Sequence, residues 1–427
     1  MIIFESRLNK LYAFRLLPFA LCLFLLFGCA YLVEKPPVVP VRPPAVKPVP
    51  KPPLKPSQTL IPVTEKDIPP LRDDLDTASL ERAVIRSLQY FDRVPGKRTY
   101  RFGERRCTVQ EMKDSLVLFL SIIRSDDLPD VKERRIRATF DFYRAVGQGA
   151  GGKAVFTGYY EPVLEGSFEE TEIFRHPVYE MPDDMLTIDL GKFKNRYRGE
   201  KIIGRLENGE VVPYYNRRDI DAEGALAKRG HEIAWLSDPV DVFFLHIQGS
   251  GMIRFRDGGF MQISFAGSNG RPYRGLGRML VDQGKITEKE MSLRSIKKYL
   301  REHPDEMTEI MSHNESYVFF RIVEDGPVGS IGVPLTGGRS IATDPDFFPR
   351  GALSFIRLRK PLFDETNGIT SWAAFSRFVL NQDTGGVIKG PARVDLFCGR
   401  GREAELTAGS LKEEGDLYFF IKKKVGR

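Results

Sequence analysis

The sequence predicts a mainly β protein with helices: a β-barrel core preceded by helical segments and interrupted by a second β-rich unit. Three observations carry that reading. Residues 77–146 repeat apolar side chains at three- and four-residue spacing, the helical period. From 153 to about 275 the pattern turns to short β-rich runs punctuated by Gly, Pro and Asn. After one further helical segment at 287–304, strand-like runs return and continue toward the C-terminus. A length of 427 residues exceeds what one ordinary core fills, so two domains are expected.

In chain order, a basic start (Met1 to Arg15) leads into the apolar run "LLPFALCLFLLFG" and then Cys29. The run is short for a membrane span and contains Pro18, which fits the apolar centre of a secretory signal over residues 1–28. Leu26-Phe27-Gly28-Cys29 resembles a bacterial lipobox, where cleavage leaves a diacylated Cys29 at the new N-terminus, although Phe27 is bulkier than the residue usual there. A plain signal peptide and an uncleaved anchor are the alternatives. Two acyl chains hold a protein stably on a membrane where one does not. Ala30 points to the outer membrane on the periplasmic side, by analogy with bacterial lipoproteins. Residues 29–57 read as a tether, since "KPPVVPVRPPAVKPVPKPPLKPS" holds ten of the 29 prolines and favours extended polyproline II. At about 3.1 Å per residue, about 22 residues of such a spacer reach roughly 70 Å.

The predicted helices are "ASLERAVIRSLQYFDRV", "TVQEMKDSLVLFLSIIRS" and "DVKERRIRATFDFYRAV", followed later by "TEKEMSLRSIKKYLREHP", capped by Thr287 and stopped by Pro304. The predicted strands include "KAVFTGYYEPVLEG", "VDVFFLHIQGSGMIRF" with His246 as a structural strand histidine, "SYVFFRIV", "ARVDLF" and "DLYFFIKK".

Charge excludes one class of partner. Of the formal net +7, residues 1–28 carry +2 and residues 29–57 carry +4, which leaves +1 for everything after. The body is near neutral, so nucleic acid is not expected. The five histidines are scattered without metal-ligand spacing, and neither a metal nor a cofactor is expected. Cys107 and Cys398 lie outside leader and tether; they either pair or stand as buried thiols.

What remains is carboxylates beside glycines. Asp344 lies in "IATDPDFFPRG", Asp383 in "NQDTGG" and Asp395 in "VDLFCG", each after a β-like run and before a turn. Asp383-Thr384-Gly385 has the form of an aspartic-protease loop, but such a dyad needs a second loop to share one proton, and the chain holds one. For Asp344, a turn residue capping backbone N–H groups is the plainer reading. The short connection between Asp383 and Asp395 can bring both strand ends to one site.

At these residues "DTGGVIKGPARVDLFCG" resembles the three-aspartate domain of the membrane-bound lytic murein transglycosylase A family, with Asp344, Asp383 and Asp395 as the three. The resemblance extends through "FTGYYEP", "VPYYNRRDI", "EIAWLSDPVDVFFLHIQGSG", "GSNGRPYRGLG" and "NESYVFF", in the family's order. Cys398 within "DLFCG" and the tether and helical region depart from it. The resemblance implies a double-psi β-barrel domain assembled from 58–165 and 311–427, its three-aspartate part at about 335–420. A second, smaller β-barrel would be inserted at 166–310, with the Ser316-onward strands returning to the first domain.

The implied activity is cleavage of the β-1,4 bond between N-acetylmuramic acid and N-acetylglucosamine in peptidoglycan, leaving 1,6-anhydro ends. One carboxylic acid serves such chemistry, because the sugar's own C6 hydroxyl is an already tethered nucleophile. By resemblance that acid is Asp395, with Asp383 in support and the flanks Val394, Leu396 and Phe397 helping to keep it protonated. Thr157, Tyr159, Tyr160, Gln248, Ser250, Asn269, Tyr273, Arg274 and Asp344 are the candidates for holding glycan. Cell-wall synthesis or remodelling proteins are possible partners. Two alternatives stand: a hydrolytic muramidase, with Asp383 or Asp344 activating water, and a non-catalytic wall-binding lipoprotein.

Overall fold

Helices form at the front of the chain where apolar period and capping chemistry agree. The computed structural model describes residues 56–147 and 152–424. The expected leader at 1–28, Cys29 and nearly all of the tether lie outside the described residues. After a short strand β1 (Leu60–Pro62), helix α1 (Thr77–Arg93) starts at Asp76, whose carboxylate accepts from Ser79 N at 2.7 Å. A hairpin of β2 (Thr99–Phe102) and β3 (Arg105–Thr108) follows. Helix α2 (Val109–Arg124) then opens on a capping box of Thr108 and Glu111. The third helix, α3 (Pro129–Thr139), is shorter than its pattern predicts: from Phe140 the chain is strand β4 (Phe140–Ala145). Ile136, Phe140 and Tyr143 match the helical period, but pairing of β4 with β1 and with the C-terminal strand overrides it. Strand β5 (Ala154–Glu161) leads to the insert.

The insert is built around a six-stranded sheet. Its strands are β6 (Val163–Ser167), β7 (His176–Tyr179), β11 (Glu232–Leu236), β12 (Ser250–Phe255), β13 (Phe260–Ser268) and β14 (Val318–Val323), in the order β14-β13-β12-β6-β11-β7. A single parallel bridge, Glu180 to Phe320, joins its two outer edges. Strand β14 pairs with β13 and so belongs to the insert, contrary to the expectation that the strands from Ser316 rejoin the first domain. Between these strands lie a three-stranded sheet of β8 (Leu186–Asp189), β9 (Lys201–Glu207) and β10 (Glu210–Pro213), and the helices α4 (Arg217–Asp221), α5 (Pro239–Gln248), α6 (Leu276–Asp282), α7 (Leu293–Glu302) and α8 (Pro304–Ser312). Two expectations change here. "VDVFFLHIQ" is helix α5, so His246 is a helical residue; Asp238 caps it, Pro239 begins it and Gly249 ends it at φ 74°. Helix α7 is capped by Ser292 rather than Thr287, whose hydroxyl instead holds a local turn to Glu290.

The chain then returns as β15 (Ser340–Ala342), β16 (Leu353–Phe363), β17 (Ile369–Asp383), β18 (Arg393–Arg400), α9 (Arg402–Ser410) and β19 (Lys412–Lys422). Six strands, β19-β16-β17-β15-β18-β5, close into a barrel because the first half of β19 pairs with β5, while its second half continues onto β4. Phe355, Phe378 and Phe420 share one face of this sheet and pack with Phe119 of α2 and Phe140, all 5% exposed or less, while Phe419 turns to the other face and stacks on Phe348. Mixed α/β with one closed six-stranded barrel is therefore the observed architecture. Among the described residues no helix is long and apolar enough to cross a membrane.

Candidate active site

The shortest strand of the barrel brings the two aspartates together. Ala342 in β15 pairs in parallel with Asp383 on one side and antiparallel with Asp395 on the other. The next strand over, β5, runs parallel to β18 and aligns Thr157 with Asp395 and Tyr159 with Phe397. Alternation along each strand sends Val394 and Leu396 into the core, and places Asp395 and Phe397 on the opposite face.

On that face Thr157 Oγ1 donates to Asp395 Oδ1 at 2.8 Å. Burial raises the Asp395 carboxyl from the ordinary range to about 6; the Thr157 bond and the cation of Arg393 pull it down, and Asp383 adds a small upward push. Arg393, two residues earlier on the same strand face, donates to Thr157 Oγ1 at 3.4 Å. Sequence reasoning passed over Arg393, although its spacing of two from Asp395 marks it as a neighbour.

Asp383 is differently held. Its Oδ2 accepts from Tyr159 Oη at 2.8 Å, and its Oδ1 accepts from Ser330 N and Thr384 N, both at 2.8 Å. Burial raises this carboxyl as well, while all three bonds favour its charged form. The ring of Tyr159 lies against Phe397, centroids 5.2 Å apart, and so walls the pair. Among the described residues, one carboxyl thus keeps an oxygen free of protein donors, while the other is spent on three.

The other predicted residues are distributed around this centre. Asp344 is buried and caps turns, accepting from Gly390 N at 2.7 Å and Asp346 N at 3.1 Å. Tyr160 points to the face of β5 covered by α9 and donates to Glu405 at 2.8 Å, and Gln248 Oε1 accepts from Tyr160 N at 3.0 Å. Ser250, Asn269, Tyr273 and Arg274 stand in the insert. Asn269 is fully buried, its amide donating to the carbonyls of Tyr215 and Glu315 at 2.9 Å. Tyr273 is exposed, and Arg274 pairs with Glu315 at 2.8 Å. A cavity of about 1470 Å³ runs beside the aspartates rather than over them, lined by Thr157, Tyr160, Gln248 and residues of α7 and α9.

A half-buried carboxyl seated where barrel strands meet beside a β-rich insert is a candidate for acid–base chemistry. Comparison with known proteins agrees. Residues 155–321 match the MltA specific insert domain and residues 339–421 match the 3D domain. The membrane-bound lytic murein transglycosylase A of Escherichia coli (strain K12) is 32% identical over 281 residues, 65% of this chain and 68% of that protein. Among solved structures, a membrane-bound lytic murein transglycosylase from Agrobacterium tumefaciens has 30% identity and a TM-score of 0.70, covering 85% of this chain and 98% of that one. MltA from Neisseria gonorrhoeae has 27% identity and a TM-score of 0.66, covering 86% and 92%. The chain belongs to the membrane-bound lytic murein transglycosylase A family.

Proposed function

We propose that this protein cleaves the glycan strands of peptidoglycan without water, with Asp395 acting first as acid and then as base. Membership of the family carries the non-hydrolytic activity. The seat of Asp395 supports its role: a partly buried carboxyl raised to about 6, one oxygen steadied by Thr157. The protonated carboxyl donates to the glycosidic oxygen as the bond from C1 of N-acetylmuramic acid breaks through an oxocarbenium-like state. The resulting carboxylate takes the proton of the C6 hydroxyl, and O6 closes on C1 to form the 1,6-anhydro end. Asp383 is a positioning and electrostatic neighbour, since its hydrogen bonds to Tyr159, Ser330 and Thr384 leave it poorly placed to activate water as a hydrolase requires. Replacing the acid with Asp395→Asn keeps the Thr157 bond but removes the proton, and is expected to lower turnover of murein by 10²–10⁴-fold. A rate within threefold of wild type would reject this assignment.

The parallel pairings of β15 with β17 and of β18 with β5 support reading the closed barrel as the double-psi type, and the Glu180–Phe320 bridge supports reading the insert as a second small barrel. Thr157 and Tyr159 hold glycan on the face of Asp395, with Gln248, Tyr273 and Arg274 contributing from the insert. Diacylation of Cys29 places the protein in the periplasm on the outer membrane, with remodelling proteins of the wall as partners.

A further inference from the structure

We infer that the cavity beside Thr157 receives the anionic stem peptides carried by the glycan, so that the enzyme holds its substrate by peptide as well as by sugar. The inference rests on the murein-cleaving function proposed above. The cavity has a volume of about 1470 Å³, larger than the roughly 300–1,000 Å³ usual for a small-molecule site. It borders the reacting centre at Thr157, which lines it and also holds Asp395, so the cavity lies within one residue of the acid.

Beyond Thr157 and Gln248 its walls do not suit sugar. The aromatic lining is sparse, and the one buried ring, Tyr160, has its hydroxyl committed to Glu405. Charge dominates instead: seven Lys and Arg face five Asp and Glu around it, in a body that is near neutral overall. The inner charges are already spent, Lys297 on Glu405 at 3.0 Å and Arg301 on Asp238 and Asp241 at 2.7 and 2.8 Å. The outer ones are not. Lys289, Arg294, Arg402 and Lys412 are exposed and form no ion pair among the described residues. Unpaired cations around a deep, wide opening recruit carboxylates at little desolvation cost. Stem peptides carry several carboxylates at a distance from the sugar ring. A strand stripped of its peptides keeps only the lactyl carboxyl, which lies close to the ring and out of reach of the outer cations.

The test compares peptide-bearing glycan strands with strands stripped by an amidase, measuring binding to the Asp395→Asn protein so that no strand is consumed. The peptide-bearing strands are expected to bind more tightly, with a stronger salt dependence. The triple substitution Lys289→Gln, Arg294→Gln, Lys412→Gln is expected to weaken them on the order of tenfold, at a few-fold per surface charge, and to leave stripped strands unchanged. Equal binding of the two strands, or an equal loss for both in the triple variant, overturns the inference. The proposed reaction is scored separately: wild-type enzyme that makes no anhydro ends while this preference persists would end the functional reading and leave the peptide site standing.

Discussion

At the scale of single residues, the proposed chemistry turns on how two aspartates on one sheet are made different. Thr157 gives Asp395 one hydrogen bond, whereas Asp383 receives three. In the proposed mechanism the acid is active while protonated, so the rate is expected to fall as pH rises through about 6, the value to which burial lifts Asp395. Arg393 opposes that lift, so Arg393→Leu moves the alkaline limb to higher pH; a pH–rate profile in which the limb stays or moves down contradicts this. The same shift has a stability consequence. Because the folded-state value of about 6 exceeds the ordinary 3.8, the folded protein binds this proton more tightly than the unfolded chain. Its burden on stability is absent below pH 3.8, grows between the two values and is complete above 6. Asp395→Asn should therefore stabilise the fold by up to about 3 kcal/mol at pH 8 and by nothing at pH 3, measured by urea unfolding. A destabilised variant at pH 8 would show that the carboxylate is not held at a cost.

At the scale of elements, the site depends on how closely α9 lies on β5 and β18. Gly158 permits that approach: a Cβ there would stand 2.8 Å from Ala408 Cα and 3.0 Å from Cys398 Sγ. Gly158→Ala is expected to cost about 1–3 kcal/mol by forcing helix and strand apart, and an unchanged melting temperature would refute the tight docking. The elements also show what was legible in the sequence. Helices α1 and α2 announced themselves because period and caps coincide at Asp76 and Thr108. Helix α5 did not, because "VDVFFLHI" is apolar almost throughout and a continuous apolar run has no period to read. Its ends were marked all the same, by Asp238-Pro239 and Gly249. Strand β4 was hidden by a helical spacing that long-range pairing overrules, and no local signal records a partner such as β19, far along the chain. The aspartates were visible as motif residues. Their short connection pointed to one shared site, but the strand between them at Ala342 was not legible, since it is a three-residue strand with partners from two later segments.

At the scale of the whole molecule, barrel and insert are joined next to the reacting centre. Glu161, at the end of β5 and 1% exposed, accepts from Gln262 of the insert and from Arg400 Nε at 2.6 Å, and Arg400 Nη2 donates to Gln262 Oε1 at 2.8 Å. The strand that carries Asp395 thus ends in a clasp onto the insert sheet, which fixes how the two walls stand around the site. Sequence inspection offered Glu161 only as a letter within "FTGYYEP", because its partners lie about one hundred residues or more away. In the proposed reaction one acid cleaves glycan with the sugar's own hydroxyl and no water. Digesting murein in ¹⁸O-labelled water and weighing the products tests it most directly. The expected products are 1,6-anhydro ends that carry no label; reducing ends bearing ¹⁸O would show that water attacks instead.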